Sequence, residues 1–520
     1  MRLLATLFLS AMVPTLALAD VKPHPLFSDH GVLQRGVTIP VWGTAEAGEK
    51  VTVTLKGKAT TTAEVTADDK GNWKAELPKA EAGIGYTLTV AGKNTIEFKN
   101  VAVGDVWICS GQSNMEWKLN QLSIDEQGKK VAANATNPRI RLFDVPNRPL
   151  PTPQTTFPVT KTGGMWLECK PETVINFSAV GYFFGRDIEK SQDIPVGLIA
   201  SDWGGTPAEA WTSREGLNVP GLEMYVERID ATLKANADPK LVDAKYQEDL
   251  AKWKEAAEKA KADGKTVPRA PQKPGPGGVT QNSPTALYNG MIASLKPYAF
   301  KGAIWYQGES NAGQAKTYRT LFPTMISDWR KQWGNDFPFY LVQLAPFRAD
   351  GSEKVSYAEL RDAQLFATKK LKNVGIAIIT DVGNETDIHP QNKEPVGTRL
   401  ALAARALTYG ETIEYSGPEY KEMKVEGDKV VVSFTHVGRG LKVDGETLTG
   451  FTVCGEDKVF HPATAKIAGD TIVLSCEKVT KPIAVRFGWV NFAKPTLNFF
   501  NRNGLPAVPF RTDDFPLTTK

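Results

Sequence analysis

Hydrophobic and polar residues alternate along residues 20–104, and this pattern predicts a small β domain. Val51, Val53 and Leu55 alternate with threonines, as expected for a strand that buries one face. Comparable short runs recur with turn-forming residues between them, at residues 38–42, 59–65, 72–77 and 86–90. Even spacing of this kind favours a small sandwich, which either binds sugar or supports the rest of the chain.

The pattern changes over residues 105–410, where apolar runs alternate with segments of helical periodicity. Strands are predicted at residues 106–109, 140–145, 196–200, 303–306, 340–344 and 375–380. Helices are predicted at residues 180–191, 318–333, 357–370 and 396–407. This alternation indicates one α/β domain with helices on both faces of a parallel sheet.

Two further regions depart from that alternation. A helical insertion at about residues 222–280 is rich in Ala, Lys and Glu and ends in a loop rich in Pro and Gly. It either forms a helical hairpin over the mouth of a site or extends into solvent without a catalytic role. Residues 411–520 return to a strand pattern, with strands at 429–434, 448–453 and 471–474, and predict a C-terminal β domain.

Residues 1–19 have the features of a secretory signal peptide. Arg2 gives a positive start, residues 3–18 are largely apolar, and Ala17-Leu18-Ala19 fits a cleavage site before Asp20. The apolar stretch is too short for a permanent membrane span. We therefore expect an exported mature protein, periplasmic or secreted.

Composition narrows the classes of partner and cofactor. The 520-residue chain is 41% hydrophobic and 23% charged, which is ordinary for a soluble globular protein. Its net charge of +4 and pI of about 8.6, with both signs interspersed, indicate neither a nucleic-acid partner nor an anionic membrane partner. The sequence has no Cys/His cluster with zinc spacing and no phosphate-binding or dinucleotide-binding glycine pattern. We expect neither a metal nor an organic cofactor.

Four cysteines in an exported chain can form disulfides. Cys454 and Cys476 lie in two strand-like runs of the C-terminal region, so a local bridge between them is expected. Cys109 and Cys169 would then form the other pair. Four cysteines allow three connectivities, and the sequence excludes none of them.

A candidate nucleophile follows the first strand of the α/β region. The apolar run Val106, Trp107, Ile108 breaks at Ser110-Gly111, and a helix is expected to start near Ser113. Parallel α/β sheets place their chemistry at the carboxyl ends of strands, where Ser113 would lie. The alternative is a buried turn serine, since serine is common among turn residues.

His389 is the histidine best suited to activate that serine. It follows a predicted strand and precedes a predicted helix, and Asp387 is nearby in the sequence. An imidazole takes a proton from a serine hydroxyl near neutral pH, and a carboxylate on its other nitrogen fixes the tautomer. Taken alone, His389 could equally cap a helix or serve a structural role.

Two more polar stretches follow predicted strands. Gly204 and Gly205 come after the strand at 196–200, and Gln307 and Asn311 come after the strand at 303–306. Acyl transfer passes through a tetrahedral oxyanion that requires donors fixed in advance, so the Gly205 N–H and one of the two amides are candidates. A tight turn and strand-end caps are the alternatives for these residues.

As an ordered set, these segments resemble the sialate O-acetylesterase family of carbohydrate esterases, a branch of the SGNH hydrolases. The matching segments are Gly111-Gln112-Ser113-Asn114-Met115, Trp203-Gly204-Gly205-Thr206, Gln307-Gly308-Glu309-Ser310-Asn311 and Asp387-Ile388-His389-Pro390. Val32-Leu33-Gln34-Arg35 and Leu287-Tyr288-Asn289-Gly290-Met291 also resemble family segments. The resemblance extends roughly from Phe27 to Tyr409.

The resemblance implies an SGNH-type three-layer α/β/α domain with a parallel central sheet, flanked by N-terminal and C-terminal β domains. It implies Ser113 as nucleophile and His389 as base. The Ser113 and Gly205 N–H groups, with the amide of Gln307 or, in reserve, Asn311, would form the oxyanion hole.

The resemblance leaves more than one candidate for the acid that orients His389. The family's usual acid lies three residues before the histidine, and that position holds Thr386 in this chain. Asp387 is therefore the candidate acid, with Asp381 or a backbone carbonyl as alternatives.

Three functions are consistent with these features. The first is an exported serine esterase that removes O-acetyl groups from sugars, with sialic acids as the expected substrate. The second is a deacetylase of acetyl-xylan or another polysaccharide, because the matching segments would bind the acetyl group and not the sugar. The third is a non-catalytic carbohydrate-binding protein whose β regions hold the glycan. All three imply a small-molecule or glycan partner.

Overall fold

The computed structural model describes residues 20–347 and 355–520. The predicted signal peptide, residues 1–19, lies outside the described residues. In those two ranges, no helix has the length and apolar character that crossing a membrane requires.

The N-terminal region is built from short strands that form two sheets over a shared apolar core. One sheet has the order β1-β3-β6, and the other joins β5, β4 and β7 to β8, which also pairs with β2. Val51, Val53 and Leu55 of β4 are buried, as their alternation with threonines predicts. The strands are β1 (Lys22–Pro23), β2 (Val32–Gln34), β3 (Ile39–Thr44), β4 (Lys50–Lys56), β5 (Thr60–Thr66), β6 (Asn72–Leu77), β7 (Gly83–Ala91) and β8 (Thr95–Gly111).

Strand β8 links this region to the centre of the molecule. It is 17 residues long; its first part pairs with β7 and β2, and its last part pairs with strands of the central sheet. It runs without a break across residues 104–105, where the sequence predicts a domain boundary. The domain boundaries stay a prediction, but the two regions share this strand.

The central sheet has the order β10-β9-β11-β8-β12-β13-β14. All neighbours along it are parallel except β10, which runs antiparallel to β9 at one edge. The α/β prediction is confirmed, and β10 is an addition that the sequence did not reveal because it is a short edge strand. The added strands are β9 (Asn137–Asp144), β10 (Trp166–Cys169), β11 (Val196–Asp202), β12 (Gly302–Tyr306), β13 (Phe339–Val342) and β14 (Val374–Ala377).

Helices cover both faces of the central sheet. Trp107 and Cys109 of β8 belong to the core under α4 and α10, whereas Val106 and Ile108 belong to the core under α8 and α9. Successive strand residues face opposite sides, so the continuous apolar run of β8 fills both layers. The helices are α1 (Ser113–Glu116), α2 (Gln127–Ala133), α3 (Pro171–Val174), α4 (Ala179–Gln192), α5 (Arg214–Leu217), α6 (Glu223–Ala235), α7 (Pro239–Ala262), α8 (Ala315–Trp333), α9 (Ser356–Lys370) and α10 (Glu394–Leu407).

The predicted insertion contains α6, α7 and the loop that follows them. Asp238 caps α7 by accepting a hydrogen bond from the N–H of Lys240, and Pro239 occupies its first turn. Most of α7 is exposed, with Val242 and Ala257 buried. Residues 263–275 form an extended loop that returns towards the central domain.

The C-terminal region forms additional sheets around its own apolar core. Two four-stranded sheets have the orders β15-β16-β21-β20 and β19-β18-β22-β24, and β17 pairs with β23. The last residues return to the α/β layer, where Thr518 and Thr519 donate hydrogen bonds to Glu359 of α9. The strands are β15 (Glu419–Glu426), β16 (Lys429–Thr435), β17 (Leu441–Val443), β18 (Phe451–Cys454), β19 (His461–Pro462), β20 (Thr464–Ala468), β21 (Thr471–Ser475), β22 (Ala484–Phe487), β23 (Phe499–Asn501) and β24 (Phe510–Arg511).

The expected disulfides are wrong, because all four cysteines are free thiols. Cys454 ends β18, whereas Cys476 follows β21 in a different sheet, so the two predicted partners belong to separate strand ladders. Cys109 lies in the central strand β8, and Cys169 ends the edge strand β10, where its thiol donates to the carbonyl oxygen of Ala135. Strand-like sequence around two cysteines does not place their Cβ atoms within bridging distance.

Candidate active site

Ser113 lies just beyond the carboxyl end of the central strand. Gly111, the last residue of β8, is in register with Asp202 at the end of β11 and with Tyr306 at the end of β12. Gly111 has a φ of 141°, and a Cβ there would clash with the carbonyl oxygen of Tyr306. Only glycine fits this turn, which delivers Ser113 as the first residue of α1.

His389 reaches the same sheet edge from the loop between β14 and α10. Its Nε2 atom lies 2.9 Å from the Oγ atom of Ser113. The indole ring of Trp117, which follows α1, stacks on one face of the imidazole. The fold therefore brings together two side chains that are 276 residues apart in the sequence.

Asp387 lies on the opposite side of the imidazole. Its Oδ1 atom is 3.6 Å from Nδ1 of His389 and also accepts a 2.8 Å hydrogen bond from the backbone N–H of His389. Asp381, the alternative acid, is engaged elsewhere in a paired contact of 2.6 and 2.7 Å with Arg399. Thr386 bonds to Asn384 and not to the imidazole. Of these three residues, Asp387 is the one whose side chain contacts the imidazole of His389.

The surroundings of His389 favour its neutral form. Burial lowers the pKa of His389 below its usual 6.5, and the Lys393 ammonium lowers it further. Asp387 opposes both effects. A neutral imidazole can accept the Ser113 proton, so His389 is available as a base at neutral pH.

A buried polar network behind Ser113 and His389 was not anticipated from the sequence. The amide nitrogen of Asn114 donates to Glu309 at 2.5 Å and to the carbonyl oxygen of Ile388 at 3.0 Å. Nζ of Lys393 donates to the amide oxygen of Asn114. Burial lowers the pKa of Lys393 to about 7 and raises that of Glu309. This network ties the His389 loop to the turn that carries Ser113.

Gln307 and Asn311, the two predicted oxyanion amides, do not reach the Ser113 hydroxyl. The Gln307 amide nitrogen donates to Asn311 at 2.7 Å, and its oxygen accepts from Tyr318 at 3.0 Å. The Asn311 amide nitrogen donates to Glu209 at 3.0 Å. Both side chains are buried and neither lines the cleft at Ser113, so the structure places them in the support beneath it.

Other hydrogen-bond donors line the same cleft as Ser113. The N–H of Gly204 donates to Glu116 at 2.7 Å, whereas the N–H groups of Gly205 and Ser113 make no hydrogen bond within the described ranges. Gln112 offers a further donor because its amide oxygen accepts the N–H groups of Gly308 and Ser310, each at 3.2 Å. That arrangement leaves the Gln112 amide nitrogen as a donor at the cleft.

Ser113 and His389 open into a cleft of about 780 Å³. Its walls include Trp117, Lys118 and Trp203, together with Arg269 from the loop after α7. The volume suits a sugar-sized ligand. Among the described residues, no group of three or more His, Cys, Asp or Glu side chains is arranged to hold a metal ion.

Sequence reasoning missed Gln112, Trp117, Lys393 and Arg269 for different reasons. Gln112 and Trp117 are close to Ser113 in the sequence, but the directions of their side chains depend on the Gly111 turn and the single helical turn of α1. Lys393 lies four residues after His389, and this spacing was a signal that could have been used. Arg269 lies in a loop without periodicity, so nothing in its sequence context links it to the cleft.

Comparison with known proteins finds similarity to carbohydrate acetylesterases. A family model described as "Carbohydrate esterase, sialic acid-specific acetylesterase" matches residues 273–406. The chain is similar to the sialate O-acetylesterases of Rattus norvegicus, 27% identical over 515 residues, and Mus musculus, 28% identical over 510 residues. Each alignment covers 90% of this chain and 90% of the relative.

A solved structure gives the stronger likeness. The crystal structure of a carbohydrate acetylesterase from Xanthomonas citri is 37% identical, with a TM-score of 0.79, and the match covers 95% of this chain and 100% of that one. Identity at this level over 95% of this chain and all of the other shows common family membership. The chain therefore belongs to a family of carbohydrate acetylesterases and is a carboxylic ester hydrolase.

Proposed function

We propose that this enzyme removes O-acetyl groups from sialic acids through an acetyl-serine intermediate on Ser113. The observation that carries the mechanism is the 2.9 Å separation between the Ser113 hydroxyl oxygen and Nε2 of His389. The substrate is supported by the family model and by the names of the rat and mouse relatives. Membership of an esterase family argues against a non-catalytic carbohydrate-binding protein.

In the acylation step, Oγ of Ser113 attacks the carbonyl carbon of the acetyl ester. His389 takes the hydroxyl proton on Nε2 as the new C–O bond forms, and the carbonyl oxygen becomes an oxyanion. When the intermediate collapses, the bond to the sugar oxygen breaks and His389 returns the proton to that oxygen. The products are the free sugar hydroxyl and acetyl-Ser113.

Deacylation repeats the same transfers with water. His389 takes a proton from a water molecule, which attacks the acetyl carbonyl, and collapse of the second oxyanion breaks the bond to Oγ of Ser113 and releases acetic acid, which ionises to acetate in solution. The proton returns to Oγ of Ser113. Asp387 lies within 3.6 Å of Nδ1, where its negative charge stabilises the imidazolium that exists during each step.

The oxyanion would be bound by donors that the fold holds in advance. The N–H groups of Ser113 and Gly205, which make no hydrogen bond within the described ranges, support this role, and in this proposal the Gln112 amide nitrogen replaces the Gln307 or Asn311 amide of the sequence-based hypothesis. A φ of 73° at Gly205 is readily adopted by glycine and rarely by other residues. Losing one oxyanion donor typically raises the barrier by about 3 kcal/mol.

Acetate release distinguishes the two substrate classes. The purified enzyme is incubated with O-acetylated N-acetylneuraminic acid and, in parallel, with acetyl-xylan. The proposal expects a higher kcat/KM on the sialic acid. Preference for the polysaccharide would contradict the substrate while leaving the serine mechanism in place.

A fluorophosphonate probe tests the activated serine itself. The wild type should be labelled on Ser113, and the Ser113→Ala variant should not be labelled. Ser310→Ala is the matched control, because Ser310 lines the same cleft but makes no hydrogen bond with His389. Equal labelling of Ser113→Ala and wild type would contradict the proposed nucleophile.

We also propose that the protein is exported. The support is the character of residues 1–19, with the positive Arg2, the apolar stretch and the Ala17-Leu18-Ala19 site. Expression of the full chain in a bacterium, followed by fractionation and N-terminal sequencing, should find a mature form that begins at Asp20. Recovery of the uncleaved chain in the cytoplasmic fraction would contradict export.

A further inference from the structure

Arg269 is a basic side chain that the helical insertion brings to the cleft. It lies on the loop between α7 and the turn at Pro276–Gly278, and it lines the same cleft as Ser113 and His389. It is exposed, and within the described ranges it makes no hydrogen bond or ion pair. An arginine side chain is therefore open to a ligand at the mouth of the cleft.

The two glutamates of the cleft wall already have hydrogen-bond partners within the protein. Glu116 accepts the N–H of Gly204 at 2.7 Å, and Glu309 accepts the amide of Asn114 at 2.5 Å. Lys118, the other cation of the wall, forms no ion pair within the described ranges, and its ammonium opposes the rise that burial causes in the pKa of Asp144 and Asp202. Arg269 is the guanidinium of this wall, and it too forms no ion pair with any described acid.

The insertion holds the Arg269 segment at two flanking points. The indole N–H of Trp253, on α7, donates a 2.7 Å hydrogen bond to the carbonyl oxygen of Pro268, directly before Arg269. On the other side, Lys273 forms a 3.0 Å ion pair with Asp243 of α7. That exposed ion pair is weak, so the Trp253 contact is the stronger of the two constraints. The loop is thus attached to a helix and not only to its own ends.

The chemistry of the Arg269 guanidinium limits the kinds of ligand that it can bind. Its planar fork of N–H donors matches a carboxylate, which it binds through two parallel charge-assisted hydrogen bonds. Sialic acids carry a carboxylate beside their acetylated hydroxyls, whereas acetylated xylose units are neutral. An arginine at the mouth of the cleft that holds the reacting serine suits a sugar that has both an acetyl ester and a carboxylate.

We infer that Arg269 binds the carboxylate of the sugar and makes this cleft prefer acidic acetylated sugars over neutral ones. The inference rests on the proposed function, since it names the group by which the same site recognises its substrate. It also gives the insertion a role, as the element that positions a specificity-determining residue.

The test compares one substrate with and without its negative charge. Initial rates of acetate release are measured with O-acetylated N-acetylneuraminic acid and with its carboxyl methyl ester, for wild type, Arg269→Ala and Arg269→Lys. In the wild type, the acid should have a kcat/KM roughly 10- to 100-fold above that of the methyl ester, mainly through KM. In Arg269→Ala this ratio should fall to about one, and in Arg269→Lys it should be intermediate.

Two further variants complete the test. Trp253→Phe removes the indole N–H that holds Pro268, and it should raise KM for the acid more than KM for the methyl ester. Arg502→Ala, an exposed arginine in the C-terminal β region, should keep the wild-type ratio. An unchanged ratio in Arg269→Ala would overturn the inference.

The outcomes separate this inference from the proposed function. If the wild type deacetylates the acid and its methyl ester equally well, the role of Arg269 is wrong and the sialate esterase stands. If it releases acetate from acetyl-xylan and from neither sialic acid form, the proposed substrate is wrong and the inference falls with it.

Discussion

The indole of Trp117 stacks on the imidazole of His389, with ring centroids 4.4 Å apart and ring planes inclined by 17°. This contact covers one face of the His389 imidazole. It restricts rotation of the ring and so helps to keep Nε2 directed at Ser113. Burial is also the largest cause of the lowered pKa of His389. The stacking therefore affects both the orientation of the base and its charge.

Trp117→Ala should lower kcat/KM on 4-nitrophenyl acetate by about tenfold, because the imidazole loses part of its orientation. The pKa of His389 should rise towards 6.5 as its face becomes exposed. Trp117→Phe retains a stacking ring and should lie between the alanine variant and the wild type. Wild-type kcat/KM and an unshifted pH profile in Trp117→Ala would show that the stack has no role in the base.

The pH profile of the wild type follows from the protonation of His389. The base must be neutral, so kcat/KM should rise with pH through the His389 pKa, which lies below 6.5. The acidic midpoint of kcat/KM should therefore lie below pH 6.5, with activity falling as the pH drops through it. An acidic midpoint above pH 6.5 would contradict this assignment.

Variants of Lys393 test whether its positive charge lowers the pKa of His389. Because the pKa of Lys393 is about 7, the ammonium is present in the range where His389 titrates. Lys393→Met removes this charge, so the pKa of His389 should rise and the acidic limb should move to higher pH. Lys393→Arg keeps the charge and should leave the limb nearer its original position. An unmoved limb in a folded Lys393→Met variant would exclude electrostatic coupling between the two side chains.

Asp387 should act in the opposite direction. Its charge raises the pKa of His389, so Asp387→Asn should move the acidic limb to lower pH and reduce kcat by roughly 10-fold or more. Asp381→Asn is the control, since it breaks the contact with Arg399 and should cost roughly 3 kcal/mol of stability without moving the limb. Thermal melts and pH profiles of both variants distinguish orientation of the base from support of the fold.

Gln112 tests the revised oxyanion site. Gln112→Glu keeps an oxygen for the N–H groups of Gly308 and Ser310 but loses the amide donor. Its kcat should fall by about 100-fold with little change in KM. Asn311→Ala, in contrast, should lower the melting temperature by removing a buried hydrogen bond while the folded fraction keeps most of its kcat. If Asn311→Ala lost kcat while Gln112→Glu kept it, the oxyanion donor would instead be one of the amides predicted from the sequence.

Much of the framework can be predicted from the sequence because it depends on local patterns. The apolar runs that became β8, β11, β12 and β14 each end in polar residues, so Ser113, Gly205 and His389 could be placed at one sheet edge. The helices at 180–191 and 318–333 have the periodicity of amphipathic segments and lie within α4 and α8.

The remainder depends on contacts between distant parts of the chain. The direction of the Gln307 amide is set by Asn311, Tyr318 and the carbonyl of Thr206, and no local pattern encodes that network. The position of Arg269 depends on how α7 packs and on the Trp253 hydrogen bond. The free cysteines show the same limit, since sequence spacing does not give the distance between strands of different sheets.

The central claim is that Ser113 carries the acetyl group during turnover. The most direct measurement is an acid quench of the wild type during hydrolysis of 4-nitrophenyl acetate, followed by peptide mass spectrometry. The account predicts a peptide containing Ser113 that is heavier by one acetyl group, absent from Ser113→Ala, whose kcat/KM should fall by a factor of about 1,000 or more. Full turnover by Ser113→Ala, with the acetyl group on no residue or on a different one, would contradict it.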